Sequence, residues 1–400
     1  MFRRGVVSRG AKAPQAAART DGGHRRAVAD VLGVPVFPPS RITGIGNRVR
    51  AGLARLHRLS APPPARIIEA ALGTLDLAAL SALCRLEIPD HLVSPTDITS
   101  LAGELGVDRV RLERLLRYAA TRGWVRIDRH RTVRPTRILE FLRRDHPGGW
   151  RAWVEFASGP EVLTAIGALD RGLAADGDAF SEANGASFFP WMGGRPDRHA
   201  VFDAAMAAGG QMHGLLLARA LDWSDARRVC DVGGGDGALL SVLLAEHEQL
   251  DGVVFELPEV AARVRACPRL GAVGGDAFEV VPSSFDTYLL VNVLHDWDDA
   301  AAERLLRNVA RTLASDEVAD GQVPTPLPGR VVIVESEAHS RPRDDLAIRA
   351  DLLMLALTPG GRERTVEEFT ALAARAGLRR QQMRRLASGD IALVLVPEAS

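Results

Sequence analysis

The segment Arg228–Glu246 reads RVCDVGGGDGALLSVLLAE and decides the fold. Its apolar runs on either side of a glycine cluster predict a strand over Val229–Val232, a turn over Gly233–Gly237 and a helix over Ala238–Glu246. Glycine accepts positive φ and lets the backbone approach a ligand closely. A strand, a glycine turn and a helix in this order are typical of a nucleotide-cofactor site in a parallel α/β sheet.

The alternation of strands and helices continues towards the carboxyl terminus. Further strands are predicted at Gly252–Phe255, Thr287–Val291 and Arg330–Val334, with a helix over Ala300–Leu313. This order predicts a doubly wound sheet covered by helices. Glu256 ends the second strand, about 20 residues beyond the turn, where an acidic side chain can bind two ribose hydroxyls.

The residues around the glycine turn discriminate between two cofactors. Gly233, Gly235 and Ala238 match the dinucleotide pattern G-x-G-x-x-A, so a dinucleotide is one candidate. Asp231 ends the strand and Asp236 lies within the turn. Two carboxylates would repel a pyrophosphate, whereas one of them suits an ammonium group. The pattern therefore favours S-adenosylmethionine, which carries an amine and a sulfonium and has no phosphate.

Composition narrows the class of protein. The 400 residues are 46% hydrophobic and 25% charged, with 50 basic and 50 acidic side chains, as in globular chains of two or three domains. No uninterrupted apolar run approaches ~18 residues, so no membrane span is expected. Cys84, Cys230 and Cys267 are scattered, as a reducing compartment tolerates, and we expect a cytoplasmic location.

The amino-terminal part is expected to hold two different units. Residues 1–55 are rich in arginine, poor in acids and without apolar period, which predicts a poorly ordered basic extension; a transit peptide or a basic arm is the alternative. From Ala65 the pattern is helical, with one long apolar helix predicted over Ile67–Leu83. Two shorter helices and an alternating stretch over Gly123–Val133 then predict a winged helix-turn-helix unit.

This winged unit has two possible uses. Its second helix carries four arginines, as a DNA-recognition helix would, but Asp108 and Glu113 interrupt the basic surface. The apolar helix before it suits burial against another chain. We therefore expect a dimerisation module and no nucleic-acid or membrane partner.

Five motifs, in order along the chain, resemble the O-methyltransferases of plant phenylpropanoid and bacterial polyketide pathways. They are DVGGGDG at Asp231–Gly237, FELP at Phe255–Pro258, GDAF at Gly275–Phe278, LHDW at Leu294–Trp297 and PGGRERT at Pro359–Thr365. The resemblance covers about Ala65 to Val396. It implies an enzyme of secondary metabolism, including antibiotic biosynthesis, that acts as a homodimer.

The resemblance also implies a domain layout of the α/β class. A winged-helix dimerisation domain would occupy 65–150, a helical connector that contributes to the acceptor pocket 151–222, and a class I methyltransferase domain with a Rossmann-like doubly wound sheet 223–400. The cofactor would be S-adenosylmethionine, with S-adenosylhomocysteine as product. The acceptor would be a small aromatic phenol.

Roles for individual residues follow from the same resemblance. His295 follows a buried strand at the carboxyl edge of the sheet, where ligands bind, and matches the family's general base. Its catalytic partners would be Glu335 and Glu363. The cofactor would contact Asp231, Gly233, Gly235, Glu256, Asp276, Ala277 and Phe278. The acceptor would contact Phe202, Met206, Leu353, Met354 and Thr358.

Three acids after the histidine, Asp296, Asp298 and Asp299, could suggest a metal. We expect them instead to cap the helix that follows, so no metal is predicted. Two other functions stay open: a winged-helix DNA-binding regulator with a vestigial cofactor domain, and an S-adenosylmethionine-binding enzyme of the same fold that has lost methyl transfer.

Overall fold

A computed structural model describes residues 40–174, 178–265, 267–314 and 329–398. The amino-terminal half is mainly helical and contains a small antiparallel sheet in the order β1-β3-β2. Its strands are β1 Thr96–Asp97, β2 Val125–Ile127 and β3 Thr132–Pro135. Its helices are Ser40–Ser60, Pro63–Ala71, Thr74–Arg85, Ile88–His91, Ile98–Leu105, Arg109–Thr121, Arg137–Glu140, Arg151–Ala157, Pro160–Gly167, Ala179–Asn184, Phe188–Gly193 and Pro196–Ala220.

The winged unit forms as its sequence predicts. Asp97 caps the helix Ile98–Leu105 by accepting from the amides of Thr99 and Ser100, and the helix ends at Gly106 with φ of 64°. The next helix, Arg109–Thr121, buries its apolar face beneath the three-stranded sheet. These elements are a helix-turn-helix with a wing.

The prediction for residues 1–55 was wrong where the structure describes them. Ser40–Ser60 is a helix, and Ile42, Ile45, Val49 and Leu53 recur along it at helical spacing. Glycines interrupt this stripe, which hid the apolar period in the sequence. Residues 1–39 lie outside the described residues.

The predicted long helix over Ile67–Leu83 is two helices, Pro63–Ala71 and Thr74–Arg85, separated at Leu72 and Gly73. Their combined segment is mostly exposed, and by length and composition alone it could cross a membrane. No uninterrupted apolar run of that length is present, and the expectation that nothing spans a membrane stays a prediction. Glu69, Thr74, Asp76 and Ser81 interrupt the apolar residues of this segment, but its mean hydropathy stays high.

The carboxyl-terminal half is built on a seven-stranded sheet in the order β6-β5-β4-β7-β8-β10-β9. Neighbouring strands from β6 to β8 are parallel, and β10 lies antiparallel between β8 and β9. The strands are β4 Arg228–Val232, β5 Asp251–Glu256, β6 Leu270–Gly274, β7 Thr287–Val291, β8 Arg330–Glu335, β9 Leu378–Arg385 and β10 Ile391–Pro397. The helices are Ala238–Glu246, Pro258–Ala261, Asp299–Ala314, Leu346–Leu357 and Val366–Arg375.

Buried side chains on both faces of this sheet form two apolar clusters. Because β4 lies between β5 and β7, the turns that follow these three strands open at one edge of the sheet. The glycine turn follows β4, Glu256 ends β5, and His295 follows β7. The topology therefore brings the predicted cofactor and base residues to one cleft.

Candidate active site

His295 lies in a short 3₁₀ turn, Leu294–Asp296, directly after β7. Its Nδ1 is 2.8 Å from Oε2 of Glu335, which ends the adjacent strand β8 and is fully buried. The other carboxylate oxygen of Glu335 accepts from the amides of Val293 and Leu294, at 3.1 and 2.8 Å. A carboxylate on Nδ1 holds the proton there, which leaves Nε2 as an acceptor.

Two further carboxylates surround the His295 ring. Glu363 has its Oε1 3.9 Å from Nδ1, and its other oxygen has no hydrogen-bond partner among the described residues. Asp296 has its Oδ1 3.5 Å from Nε2. The assignment of Asp296 to helix capping was wrong, because the 3₁₀ turn directs its side chain to the ring. Asp298 does cap the helix, by accepting from the amide of Ala301 at 2.8 Å.

These charges change the basicity of His295. Burial alone would lower its pKa, but the charges of Glu335, Asp296 and Glu363 together raise the pKa of His295 to about 10. Burial raises the pKa of Glu363 to about 8 and that of Asp296 to about 6. The surrounding carboxylates therefore favour the protonated form of an imidazole that is 16% exposed.

The glycine turn is shaped for a ligand. Gly233 and Gly235 have φ of 73° and 59°, which is left-handed backbone that favours glycine. A Cβ at Gly235 would meet no atom within 4 Å, so the cleft beside it is open. Asp231 is buried at the end of β4, and its Oδ2 has no hydrogen-bond partner among the described residues. Burial, with the charge of Glu256, raises the pKa of Asp231 to about 7.

This cleft fits S-adenosylmethionine better than a dinucleotide. An orphaned acid beside an open glycine cradle suits an ammonium group and opposes a pyrophosphate. Glu256 ends β5 at the same edge, and its Oε2 accepts from the amide of Leu257. Burial raises the pKa of Glu256.

The base and the cofactor cleft are in contact. A Cβ at Gly233 would lie 2.9 Å from Cγ2 of Val293, two residues before His295. On the other side of the turn, Trp297 stacks on Phe189 with ring centroids 5.8 Å apart and meets Phe278 edge-on at 4.7 Å. Trp297 thus links the two parts of the site, a role that its place in the LHDW motif did not predict.

The residues predicted to frame the adenine follow β6. Asp276 accepts from the amide of Phe278 at 2.8 Å, and the carbonyl of Ala277 accepts from Asn308 at 3.0 Å. These bonds fix the backbone of the segment. The side chain of Asp276 is exposed and the ring of Phe278 is half-buried, so both stay accessible at the cleft.

Most of the predicted acceptor wall belongs to one aromatic cluster. Phe202, Met206 and Leu353 pack against its buried core, and Phe202 lies 5.5 Å from Phe156 and 5.3 Å from Phe188, centroid to centroid. Met354 is half-buried one residue further along the helix Leu346–Leu357, outside that cluster.

Thr358 has a local structural task. Its hydroxyl donates to the carbonyl of Met354 at 2.9 Å and accepts from the amide of Gly361 at 3.1 Å. It is buried and joins the end of the helix Leu346–Leu357 to the PGGRERT loop.

His295, Glu335 and Glu363 also offer three ligand atoms within 4.8 Å of one another, a set that could hold a metal ion. Both oxygens of Glu335 are already used by His295 and by two backbone amides. The existing hydrogen bonds thus compete with any ion at this place. The prediction of a metal-free site stays a prediction.

Comparison with known proteins places this site in a family. Residues 168–379 match the model of the O-methyltransferase domain. The chain belongs to this O-methyltransferase family. It is 32% identical over 325 residues to O-methyltransferase SfmM3 of Streptomyces lavendulae, with 78% of this chain and 93% of the relative covered.

A second relative and a solved structure agree with this assignment. The chain is 32% identical to 2,7-dihydroxy-5-methyl-1-naphthoate 7-O-methyltransferase of Streptomyces carzinostaticus, over 75% of this chain and 88% of the relative. The structure of CalO1, a methyltransferase of calicheamicin biosynthesis in its S-adenosylhomocysteine-bound form, matches with a TM-score of 0.73 and 30% identity, over 84% of this chain and 98% of that one. The chain is a S-adenosylmethionine-dependent O-methyltransferase of secondary metabolism with the class I methyltransferase fold.

Proposed function

We propose that this O-methyltransferase methylates a phenolic hydroxyl of a small aromatic metabolite, with His295 as the general base. The observation that carries the proposal is the buried hydrogen bond from His295 to Glu335, in a turn that contacts the glycine turn. A base beside a cofactor cleft, with its acceptor nitrogen free of that bond, is the arrangement that proton removal during methyl transfer needs.

S-adenosylmethionine, when bound, supplies a methyl group activated by the sulfonium. Asp231 would hold its ammonium group, because a buried and unpaired carboxylate gains most from such a partner. Gly233 and Gly235 would let the backbone lie against the methionyl part, and Glu256 would bind the ribose hydroxyls. Asp276, Ala277 and Phe278 would frame the adenine.

In this mechanism His295 removes the hydroxyl proton of the acceptor. A phenol titrates near ~10, so at neutral pH it is a weak nucleophile. The neighbouring carboxylates raise the pKa of His295, so its Nε2 accepts a phenol proton more readily than a free imidazole would. Glu335, Glu363 and Asp296 stabilise the imidazolium that forms. Alignment of the acceptor oxygen with the methyl group supplies the rest of the acceleration.

The aromatic cluster supports a flat, apolar acceptor. Phe202, Met206 and Leu353 offer rings and a thioether rather than charges, and Trp297 and Phe189 continue the aromatic surface towards His295. The relative that methylates a dihydroxynaphthoate is named for an acceptor of this class. We propose Met354 as a further wall residue on the strength of its position, and Thr358 as a support of the wall.

We also propose a homodimer without a nucleic-acid partner. Apolar side chains of Pro63–Arg85 are exposed, among them Ile67 at 71% and Ile68 at 59%, and a second copy would bury them. The winged unit is poorly suited to DNA, because Glu113 on its second helix pairs with Arg109 and Arg131 and so ties up part of the basic surface.

The proposed function is tested by incubating the protein with S-adenosylmethionine and a panel of phenols, with EDTA present, and measuring S-adenosylhomocysteine. We expect turnover of at least one phenol and no loss on removal of metals. His295→Gln should keep cofactor affinity and lower turnover by roughly 10²–10⁴. Turnover of His295→Gln within a few-fold of the parent would remove the histidine from the mechanism. Turnover that EDTA abolishes would assign the cluster to a metal.

A further inference from the structure

Arg364 is a fully buried arginine in the PGGRERT loop, directly after Glu363. Its guanidinium donates to the carbonyl of Leu294 at 2.7 Å and to the carbonyl of Trp297 at 2.7 Å. Its Nε donates to Oδ1 of Asp299 at 2.9 Å. The two carbonyls flank the dipeptide His295–Asp296.

The turn that carries the base is therefore held from two sides. Glu335 accepts from two of its amides, those of Val293 and Leu294. Arg364 donates to two of its carbonyls, those of Leu294 and Trp297. An irregular buried turn has few internal hydrogen bonds, so these four contacts fix its backbone.

Arg364 is itself anchored to the strand that ends in Glu335. Its carbonyl accepts from the amide of Ala338 at 3.0 Å, and it forms an isolated parallel bridge with Glu337. The segment formed by β8 and the residues after it thus fixes Glu335 and Arg364 directly. It also fixes Glu363, which is bonded to Arg364 as its neighbour in the chain. The distance between the base and its two acids depends on this segment.

We propose that Arg364 is a positioning residue for the base, which aligns His295 with Glu335 and Glu363 and touches neither substrate nor cofactor. The inference rests on the proposed function of His295. The planar guanidinium is suited to this task, because it directs several N–H groups along fixed lines to two carbonyls and a carboxylate. A lysine ammonium has three donors at one point and cannot span both carbonyls and Asp299.

The loop backbone leaves room for this arrangement. A Cβ at Gly361 would overlap the carbonyl oxygen of His295, and a Cβ at Gly360 would lie 2.9 Å from Cβ of Asp298. The two glycines let the loop lie directly against the histidine turn, so that Arg364 reaches the carbonyls at hydrogen-bond distance. Asp299 balances the buried charge and accepts from Arg362 as well.

Arg362 provides a matched control. It lies two residues before Arg364, is partly exposed, and donates to Asp299 and to Glu368, but not to the carbonyls of the histidine turn. Arg362→Gln removes a positive charge from the same loop and the two hydrogen bonds from Arg362 to the same aspartate. It leaves the two carbonyl contacts of Arg364 in place.

The experiment compares Arg364→Lys with Arg362→Gln and the parent protein. Cofactor affinity is measured by calorimetry, and kcat and KM are measured with an active phenol. The Nδ1 proton of His295 is followed by its low-field NMR signal, which is assigned as the signal missing from the spectrum of His295→Gln. We expect Arg364→Lys to bind S-adenosylmethionine within about threefold of the parent, which also reports folding. Its kcat should fall by ~10²-fold with little change in KM, and the Nδ1 signal should broaden or vanish. Arg362→Gln should keep the signal and lose less than about threefold in kcat.

Two results would overturn the inference. One is a kcat of Arg364→Lys within about threefold of that of Arg362→Gln. The other is an intact Nδ1 signal in Arg364→Lys together with a lowered kcat, since the base would then be in place. Failure of the proposed function gives a different result from failure of this inference, because no phenol is then methylated by any of the proteins. The NMR comparison still reports in that case whether Arg364 holds the His295–Glu335 pair. If Arg364→Lys does not fold, Asp299→Asn, which removes one acceptor of the guanidinium, should lower kcat and broaden the same signal, and unchanged values would reject the inference.

Discussion

At the scale of single residues, the acids around His295 make it a stronger base and also keep it protonated. Its pKa of about 10 means that the neutral imidazole is a minority form near pH 7. The negative charges of the acids raise the pKa of His295, whereas burial lowers it. Removing any one of these acids should therefore lower the pKa of His295. The free enzyme must release this proton before it can accept one from a phenol. The rate constant kcat/KM should then rise with pH.

This gives a prediction for Asp296. Asp296→Asn removes a charge 3.5 Å from Nε2, which lowers the pKa of His295 and moves the rising limb of kcat/KM to lower pH. We expect a shift of at least about half a pH unit, measured between pH 6 and 10 with one phenol. Both proteins are measured with the same phenol, so ionisation of the phenol affects the two pH profiles equally and does not contribute to the shift between them.

Asp298→Asn is the control for this shift. Asp298 carries the same charge two residues further on but caps a helix, and asparagine also caps well. Its pH profile should coincide with that of the parent. A profile of Asp296→Asn that coincides as well would show that Asp296 does not act on the base.

At the scale of elements, the succession of strand, turn and helix was predictable from the sequence, whereas the direction in which individual side chains point was not. The strand, turn and helix over Arg228–Glu246 formed as expected, since an apolar run and a glycine cluster encode them without distant contacts. The three acids after His295 look alike in sequence. In the structure Asp296 faces the ring, Asp298 caps the helix and Asp299 accepts from Arg364 and Arg362. This division depends on the 3₁₀ turn, which Glu335 and Arg364 hold from distant parts of the chain.

Other elements show the same limit. The strands β6, β9 and β10 escaped prediction. β10 did so although it is an apolar run, because it inserts antiparallel between β8 and β9 and that choice is made by the sheet as a whole. The break at Leu72 and Gly73 divides a stretch that reads as one helix. The individual site residues were predicted from the resemblance, whereas the sequence pattern alone placed the glycine turn, Glu256 and the position of His295 after a strand.

The glycine turn is the element whose change has the clearest effect. Gly235→Val puts a branched side chain into the open cleft and forces it to φ of 59°, which costs about 1–2 kcal/mol. We expect the Kd of S-adenosylmethionine to rise at least ~10-fold by calorimetry, because the side chain occupies space that the cofactor needs.

The variant Gly106→Val is the control that separates the effect of backbone strain from the effect of a blocked cofactor cleft. Gly106 has φ of 64° and equally no atom within 4 Å of its Cβ, but it caps a helix of the winged unit. Both variants should lose similar thermal stability, and only Gly235→Val should lose cofactor affinity. Equal affinity losses in the two would mean that the effect at Gly235 is global unfolding rather than a blocked cleft.

At the scale of the whole molecule, the amino-terminal helices expose more apolar surface than a monomer usually shows. Ile42, Ile45, Val49 and Leu53 line one face of Ser40–Ser60, each between 56% and 61% exposed. Most side chains of Pro63–Arg85 are exposed as well. Arg58 forms an ion pair with Asp344, which fixes the end of the first helix near the helix Leu346–Leu357.

We expect a second copy of the chain to cover this exposed apolar surface, in an interface of roughly 2,000 Å² or more. The substitution Ile67→Asp with Ile68→Asp places two charges in that interface and should raise the dimer dissociation constant by at least ~10-fold, measured by light scattering over a dilution series. Leu173→Asp, at a side chain that is 70% exposed in another part of the chain, is the control and should leave the dimer intact. Activity should fall with the dimer if the partner completes the acceptor pocket. A parent protein that is a fully active monomer would contradict the dimer, and binding of that monomer to lipid vesicles, lost in the double variant, would assign the apolar surface to a membrane.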